Sequence, residues 1–453
     1  MSKTVNIYNQ AGLFVGPCPS TGFSFLTPDG ILSNNYNDST NINLVFPLHR
    51  ITSFSYSVSP QRTEIRNLGH LANLTRPILS SPEITLNFSY YNMGLINEAR
   101  LGFYVNHPSG SITGGSLYNQ NVSPISGFYD RNYQLSNDTS QGWPLTTRDS
   151  RNIFVAIRND MLDLHDPKNL NTNLNKEIGV LAFGDCFITS YKTSCSVGQF
   201  PVTTLQYVSD NYIYYSSGSG NNIPSIHSKT YNLNSGIYFN IPNPTNENNL
   251  PTILLPTNIS LSIKEENGNN PSNYSFDFDD IRIQNYQISM NLNRDYLYGL
   301  SNVLPLDKRI KFPIINDLSF DLVPGQSQVG NLVDLIKEDS KYNITITLNY
   351  DRNQPLSGPA IQYIFLGAKF NGFSPQLSIS NYETSTLSFT TEMDIINPSG
   401  GFFISGQLGV LNYGNATDSV ELAINNTGDR LLMQDDSFFT IYPSGGINNT
   451  IIY

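Results

Sequence analysis

Charged side chains are scarce in this chain of 453 residues. Asp, Glu, Lys and Arg together make up 13% of it, whereas roughly 25% is usual for a globular protein. The 25 Lys and Arg are outnumbered by 36 Asp and Glu, and the net charge is −11. This balance argues against a nucleic-acid binder, because nothing supplies a basic surface to neutralise phosphates. Aromatic residues reach 12%, which argues against disorder, since disordered chains contain few of them.

Cysteine and long apolar runs are also scarce. The three cysteines, Cys18, Cys186 and Cys195, do not make a disulfide framework, which favours a reducing compartment. No run of roughly 18 apolar residues could span a membrane. Residues 1–6 lack the apolar segment of a signal peptide. We therefore expect a protein that is made in a cytoplasm and does not enter a membrane.

The chain is rich in apolar residues that alternate with Ser, Thr and Asn. Ile84, Leu86 and Phe88, for example, alternate with Thr85 and Asn87. A period of two is typical of antiparallel strands with one buried and one solvent-facing side. Ser, Thr and Asn are also poor helix formers. The sequence therefore predicts an all-β (β-rich α+β) fold.

An internal repeat organises the chain. Residues 50–91 align without a gap with residues 282–323, an offset of 232, and a second block, 184–207, aligns with 367–389 when one residue is deleted. The two blocks follow the same order in each half, which predicts duplication of one β domain. The matching residues include Arg50/Arg282, Arg62/Arg294, Leu68/Leu300, Leu86/Leu318, Phe88/Phe320, Gly184/Gly367, Phe187/Phe370 and Leu205/Leu387.

The repeat predicts a division of the chain into two similar domains and three other segments. Each domain is expected to be a β-sandwich or partial barrel with one short flanking helix, at 95–100 in the first and 331–338 in the second. The predicted segments are an N-terminal arm (1–49), β domain 1 (50–215), a loop or linker with edge strands (216–281), β domain 2 (282–393) and an unassigned C-terminal β segment (394–453).

No residue pattern predicts a catalytic, cofactor or metal site, so we expect no enzyme and no cofactor. The five histidines are scattered without a metal-binding spacing. The acidic run 277–280 lacks the Gly and Glu of an EF-hand loop, which favours a solvated turn. Trp143 could stack on a sugar, although such a residue more often pins a loop to its own domain.

The solvent-facing side of the predicted strands is polar but carries few charges. An ordinary exposed face carries Lys and Glu, which keep a protein soluble. Two interpretations remain open for the uncharged face. It suits a surface past which another molecule slides without binding, or it reflects a general preference of this sequence for Asn and Ser.

The strand patterns resemble the tail tube (major tail) proteins of long-tailed bacteriophages. The resemblance covers most of residues 1–210 and, more loosely, 282–393, and it contains no invariant chemical motif. In the first copy it is carried by residues 50–58, 62–64, 81–91, 97–103, 188–191 and 197–201.

The resemblance implies a structural virion protein of a phage tail, made in the host cytoplasm. Family members form β-sandwiches whose sheets join those of neighbouring subunits, and rings of six domains stack into a hollow tube for DNA passage. A duplicated chain departs from the usual six-chain ring and implies three chains in a pseudo-sixfold ring. The implied partners are further copies of the chain, stacked head to tail, other tail components such as the terminator and baseplate, and genomic DNA that passes without specific binding.

If the polar face lines the lumen, DNA phosphates meet almost no basic residue, and the net charge of −11 repels DNA generally. Lys192 is the exception. The lumen-facing candidates are Ser53, Ser55, Ser57, Thr85, Asn87, Ser89, Ser190, Lys192, Ser194, Ser196, Thr204, Gln206, Asn285, Gln287, Ser289, Ser374, Gln376, Ser378, Thr386 and Ser388.

Two other functions are compatible with the same sequence. A trimeric baseplate hub or distal tail protein also uses two tube-like domains per chain. A β-sandwich carbohydrate-binding or adhesion module would use Trp143 and exposed tyrosines as sugar platforms. Copy number in purified particles separates tube from hub, and glycan binding that is lost in Trp143→Ala would favour the third.

Overall fold

The fold is described from a computed structural model, and most of the described residues lie in antiparallel strands. This confirms the predicted all-β class. The residues that the structure describes are 11–17, 25–26, 32–33, 45–60, 62–65, 68–69, 75–77, 82–101, 151–158, 178–209, 211–215, 223–224, 238–239, 253–265, 275–276, 282–300, 305, 307–323, 341–350, 359–376, 384–393, 401–406, 420–423, 430–433, 439–442 and 449–451.

Sixteen strands form one continuous antiparallel sheet, and they fall into two groups that we call unit 1 and unit 2. Strands are numbered in chain order. Unit 1 contains β1 (Ala11–Pro17), β4 (Phe46–Pro47), β5 (Ile51–Ser59), β6 (Glu83–Tyr91), β7 (Arg151–Arg158), β8 (Ile178–Ser196), β9 (Val202–Ser209) and β10 (Asn211–Tyr215). Unit 2 contains β13 (Ile259–Glu265), β14 (Ser275–Phe276), β15 (Arg282–Asn291), β18 (Ile314–Val323), β19 (Tyr342–Leu348), β20 (Ile361–Gln376), β21 (Thr384–Met393) and β22 (Gly401–Gly406).

The remaining strands form smaller sheets. They are β2 (Phe25–Leu26) with β3 (Leu32–Ser33), β11 (Ile223–Pro224) with β12 (Tyr238–Phe239), β16 (Arg294–Leu297) with β17 (Asp307–Ile310), and the C-terminal sheet of β23 (Val420–Ala423), β24 (Arg430–Met433), β25 (Phe439–Tyr442) and β26 (Asn449–Ile451).

The two units share one strand order. Unit 1 runs β5-β6-β9-β8-β7-β1, and unit 2 runs β15-β18-β21-β20-β19-β13. Strand β1 lies in the segment expected to be an arm, and β13 lies in the expected linker. Each forms the last strand of this order in its unit.

The strand registers repeat as the sequence does. Phe54 lies opposite Phe88 in unit 1, and Tyr286 lies opposite Phe320 in unit 2. Both members of the second pair are offset by 232 from the first. The ungapped alignment of 50–91 with 282–323 is therefore reproduced in the pairing of the strands.

The second block aligns differently from the expected pairing of glycine with glycine. Tyr207 lies opposite Ile188, and Phe389 lies opposite Phe370, so the offset is 182 and Ile188, not Phe187, corresponds to Phe370. The same offset matches Asp185, not Gly184, with Gly367. Both of these residues have left-handed backbone conformations, with φ of 56° and 65°. The bend of the strand, and not the identity of the residue, sets the correspondence, and no deletion is needed.

Strands β8 and β20 are long and serve two layers. The first half of β8 pairs with β7 and β10, and the second half, 187–196, pairs with β9 and β15. In both strands the pairing with the next hairpin strand shifts by one residue where the layers change. We call the eight strands β5, β6, β9, β15, β18, β21 and the second halves of β8 and β20 the inner sheet.

The core lies between the inner sheet and the outer strands. Phe54 of β5 packs on Phe183 in the first half of β8, with ring centroids 6.1 Å apart. Tyr342 of β19 packs on Phe389 of β21 at 6.0 Å. Buried apolar residues of both units form one continuous cluster, because the apolar positions of each strand point to the same side.

A short helix, α1 (Ile96–Arg100), follows β6 where the sequence predicted one, and Leu95 beside it is fully buried. The second predicted helix, 331–338, lies outside the described residues. A 3-10 turn covers Pro256–Asn258. Within the described part of the chain, no helix has the length and apolarity needed to cross a bilayer.

Candidate assembly interface

The two units are joined by the pairing of β8 with β15, which we call the internal junction. Residues 190–196 of β8 pair with residues 285–291 of β15. The Val197 amide donates to the Gln284 carbonyl at 2.9 Å, and the Leu292 amide donates to the Thr189 carbonyl at 2.8 Å. The inner sheet therefore passes from one unit to the next without a break.

The apolar side of the internal junction is fully buried. Tyr286 is 2% exposed, and Ile288 and Met290 are 0% exposed. The Tyr286 ring lies 6.5 Å from the ring of Tyr363 in β20. Outer strands of unit 2 thus help to cover the strand that binds unit 1.

A buried hydrogen-bond network lies behind the internal junction and centres on Asn92. The Asn92 amide donates to Thr193 Oγ1 at 3.3 Å and to the Tyr363 hydroxyl at 3.2 Å. Thr203 Oγ1 donates to Asn92 Oδ1 at 2.7 Å. Since Tyr363 belongs to unit 2 and the other residues to unit 1, the network fixes how the units sit on each other.

Glu98 of α1 is a buried carboxyl group next to this network. Its Oε1 accepts a 2.8 Å hydrogen bond from the Tyr90 hydroxyl. Burial raises the pKa of Glu98 to about 7, against the opposing effect of that hydrogen bond. The sequence pattern did not single out Glu98, because a Glu in a short amphipathic helix is expected to face solvent.

Strand β5 has an open edge. Among the described residues it pairs only with β6, whereas its counterpart β15 pairs with both β18 and β8. Tyr56 is 45% exposed and Val58 is 37% exposed, although their counterparts Ile288 and Met290 are fully buried. Two large apolar side chains of unit 1 are thus exposed to solvent, whereas their counterparts in unit 2 are buried. We call this side of β5 the β5 edge.

The second half of β20 has the complementary open edge. Its residues 369–376 pair with β21, and no other described strand pairs with them. The corresponding half of β8 holds β15 on its second side. We call this side the β20 edge. Among the described strands, the inner sheet of one chain therefore has two open edges. The β5 edge corresponds to β15, and the β20 edge corresponds to β8.

The described lumen-facing candidates lie along the inner sheet, mostly exposed or half-buried. Ser190 is an exception: it is buried, and its hydroxyl donates to Asn291 Oδ1 at 3.4 Å. Ser378 lies outside the described residues, and only the main chain of Gln376 is described. The face places residues of neighbouring strands together, such as Ser89 and Thr204, whose hydroxyl oxygens are 2.9 Å apart.

Two acidic residues that were not among the candidates lie on the same face. Asp321 Oδ1 accepts from Thr386 Oγ1 at 2.6 Å, and its Oδ2 accepts from the Asn285 amide at 3.2 Å. Asp317 Oδ1 accepts from Thr390 Oγ1 at 3.2 Å. Alternation along β18 could have identified both. They add negative charge beside a face that was expected to be nearly uncharged.

No family model and no curated protein matches the chain. The chain is similar to one in a structure described as the cryo-EM structure of the anti-feeding prophage (AFP) baseplate, 6-fold symmetrised, with 15% identity and a TM-score of 0.26. The match covers 35% of this chain and 98% of that one. Trp143, the candidate sugar platform, lies outside the described residues.

Proposed function

We propose that this chain is a structural protein of a bacteriophage tail whose copies join edge to edge into a closed ring. The observation that supports this most is the contrast between Tyr56 and Ile288. They occupy equivalent places in the repeat, yet Ile288, whose strand pairs with unit 1, is fully buried and Tyr56 is 45% exposed. A second copy of the chain would pair with β5 in the way that unit 1 pairs with β15, and would cover Tyr56.

The internal junction serves as the template for this contact. Repeating the step from unit 1 to unit 2 brings the β20 edge of one chain against the β5 edge of the next, and we call this contact the seam. The offsets of 182 and 232 place Ser57 opposite Ser374 and Tyr56 opposite Pro375. A contact between unlike edges generates a ring when the rotation closes. Closure also removes two strand edges that would otherwise favour aggregation.

The resemblance of the strand patterns to tail tube proteins suggests the size and use of the ring. Six units in a ring correspond to three chains. Stacked rings would form a tail tube whose polar inner face conducts DNA during ejection. Asp317 and Asp321 lie on that face and would disfavour binding of phosphates to it.

A cysteine pair tests the seam at one position. Lys192 and Ser289 lie opposite each other in the internal junction. Main-chain hydrogen bonds across the junction are made by residues of the other parity, such as Thr189 and Val197. Lys192 and Ser289 therefore form a non-hydrogen-bonded pair with Cα atoms about 4.5 Å apart, which a disulfide can bridge. Their counterparts across the seam are Ser374 and Ser57. The double variant Ser57→Cys with Ser374→Cys should form disulfide-linked multimers under mild oxidation, up to a closed trimer.

Two matched variants control this experiment. Lys192→Cys with Ser289→Cys should give a disulfide within one chain and no disulfide-linked multimers. Ser53→Cys with Ser374→Cys places the thiols four residues out of register and should not cross-link. The native Cys186 and Cys195 are buried.

Three results would count against the proposal. Absence of multimers in the Ser57/Ser374 variant at assembling concentration would refute the seam. A native mass of six chains per ring would refute the three-chain ring. Electron micrographs with single rings that never stack would favour a baseplate hub over a tube.

A further inference from the structure

The internal junction is stabilised at one end by cations that lie on an aromatic ring. The β16–β17 hairpin follows β15 and contacts β8. The Arg294 guanidinium and the Lys308 ammonium each lie 4.8 Å from the ring centroid of Phe187, and Arg294 Nε donates to the Ile188 carbonyl at 3.2 Å. Lys308 is 4% exposed, so these contacts are largely shielded from water, where cation–π attraction is strongest.

Unit 1 carries the counterpart of this hairpin beside the β5 edge. Ile65 bridges Thr75 in unit 1, and Leu297 pairs with Asp307 in unit 2; both offsets are 232. Arg62 therefore corresponds to Arg294. Glu64 corresponds to Tyr296 and Arg76 to Lys308. The Arg76 guanidinium pairs with Glu64 at 2.9 Å, and both side chains are exposed.

The aromatic acceptor is missing from the β20 edge. Phe187 lies opposite Val208, and Lys369 lies opposite Thr390, so Lys369 is the counterpart of Phe187 at the offset of 182. At the seam, Arg62 and Arg76 would therefore meet an exposed lysine where the internal junction offers a ring. Glu64 neutralises only one of these three positive charges.

The seam also lacks one main-chain donor. Thr189 and Val197 exchange main-chain hydrogen bonds with unit 2, and Thr193 shares their parity along β8. Its amide therefore faces β15. The counterpart of Thr193 on the β20 edge is Pro375, which has no N–H group. Lysine and proline are the residues that natural sheets place on edges to prevent unwanted pairing.

We infer that the seam is a weakened copy of the internal junction, with Lys369 and Pro375 on the β20 edge limiting how tightly a second copy of this chain binds. This inference rests on the proposed ring. It identifies the two positions that keep single chains apart while the internal junction of each chain stays closed.

Restoring the residues of the internal junction should strengthen the seam. Pro375→Thr adds one ladder hydrogen bond, and we expect the dissociation constant of the seam to fall about fivefold. Lys369→Phe replaces repulsion by cation–π contacts with Arg62 and Arg76, and we expect a fall of about tenfold. Lys369→Gln removes the charge without supplying a ring and should give an intermediate value.

The measurement is sedimentation velocity of the full-length chain over a concentration series. Lys264→Phe is the matched control, because Lys264 is an exposed lysine on β13, which pairs with β14 and β19 and lies outside the inner sheet. It should leave the dissociation constant unchanged. Equal or weaker assembly of Pro375→Thr and Lys369→Phe would overturn the inference. If these two variants fail in this way but Ser57→Cys with Ser374→Cys still cross-links, only the inference about Lys369 and Pro375 is overturned and the proposed ring stands. If the cross-link is also absent, the ring itself is rejected.

Discussion

The pair Ile288 and Tyr56 allows folding and assembly to be perturbed separately at equivalent places. Ile288 is 0% exposed, so Ile288→Ala removes buried apolar atoms from a packed core. We expect a loss of about 2–5 kcal/mol in the free energy of unfolding, measured by urea denaturation of the monomer. The seam does not contain Ile288, so variant chains that remain folded should assemble with an unchanged dissociation constant.

Tyr56→Ala, unlike Ile288→Ala, should weaken assembly. A tyrosine side chain buries on the order of 200 Å², so the 45% of Tyr56 that is exposed corresponds to roughly 90 Å² that the seam would cover. At about 25 cal/mol per Å² this contributes about 2 kcal/mol, or about a 30-fold change in the dissociation constant of one seam. Its buried part contacts Phe183 and Tyr212, so the monomer also loses on the order of 2 kcal/mol.

Sedimentation velocity on the two variants, at concentrations where both monomers are folded, distinguishes these effects. The reasoning about the β5 edge fails if Tyr56→Ala lowers the unfolding free energy yet assembles like the unmodified chain. It also fails if Ile288→Ala weakens assembly as strongly as Tyr56→Ala, since assembly would then follow stability and not a particular edge.

Two further predictions concern the interior. Burial raises the pKa of Glu98 from 4.5 to about 7, so the protonated Glu98 stabilises the fold fully below about pH 4.5, and this stabilisation is lost as the pH rises through 7. Glu98→Gln should remove this part of the pH dependence of the unfolding free energy, which is on the order of 3 kcal/mol. An unchanged slope of urea midpoint against pH would show that Glu98 is not its source. A Cβ at Gly406 would lie 2.3 Å from the Ala360 carbonyl oxygen, whereas one at Gly372 would lie 3.5 Å from Ser388 Oγ. Gly406→Ala should therefore cost about 1–3 kcal/mol of unfolding free energy and Gly372→Ala far less, and equal urea midpoints would contradict the close approach.

Much of the strand plan could be predicted, because it depends on local alternation. Ile84, Leu86 and Phe88 are buried as their period of two requires. The role of Glu98 could not be predicted, since its burial depends on Tyr90 and on packing against unit 2. The first part of the second repeat block was misaligned by one residue for a related reason. Glycine identity suggested Gly184, but the chain bends at Asp185, and backbone geometry is visible only in the fold.

The sequence by itself determined the all-β class, the duplication and the polar face, because each depends on residue type at fixed spacing along the chain. Only the tertiary structure decided which strand edges are paired and which stay open. Main-chain hydrogen bonds are nearly independent of residue type, so the amino-acid sequence of β8 does not show that it pairs with β15. The exposed Tyr56 and Val58 lie on β5, which among the described residues pairs only with β6.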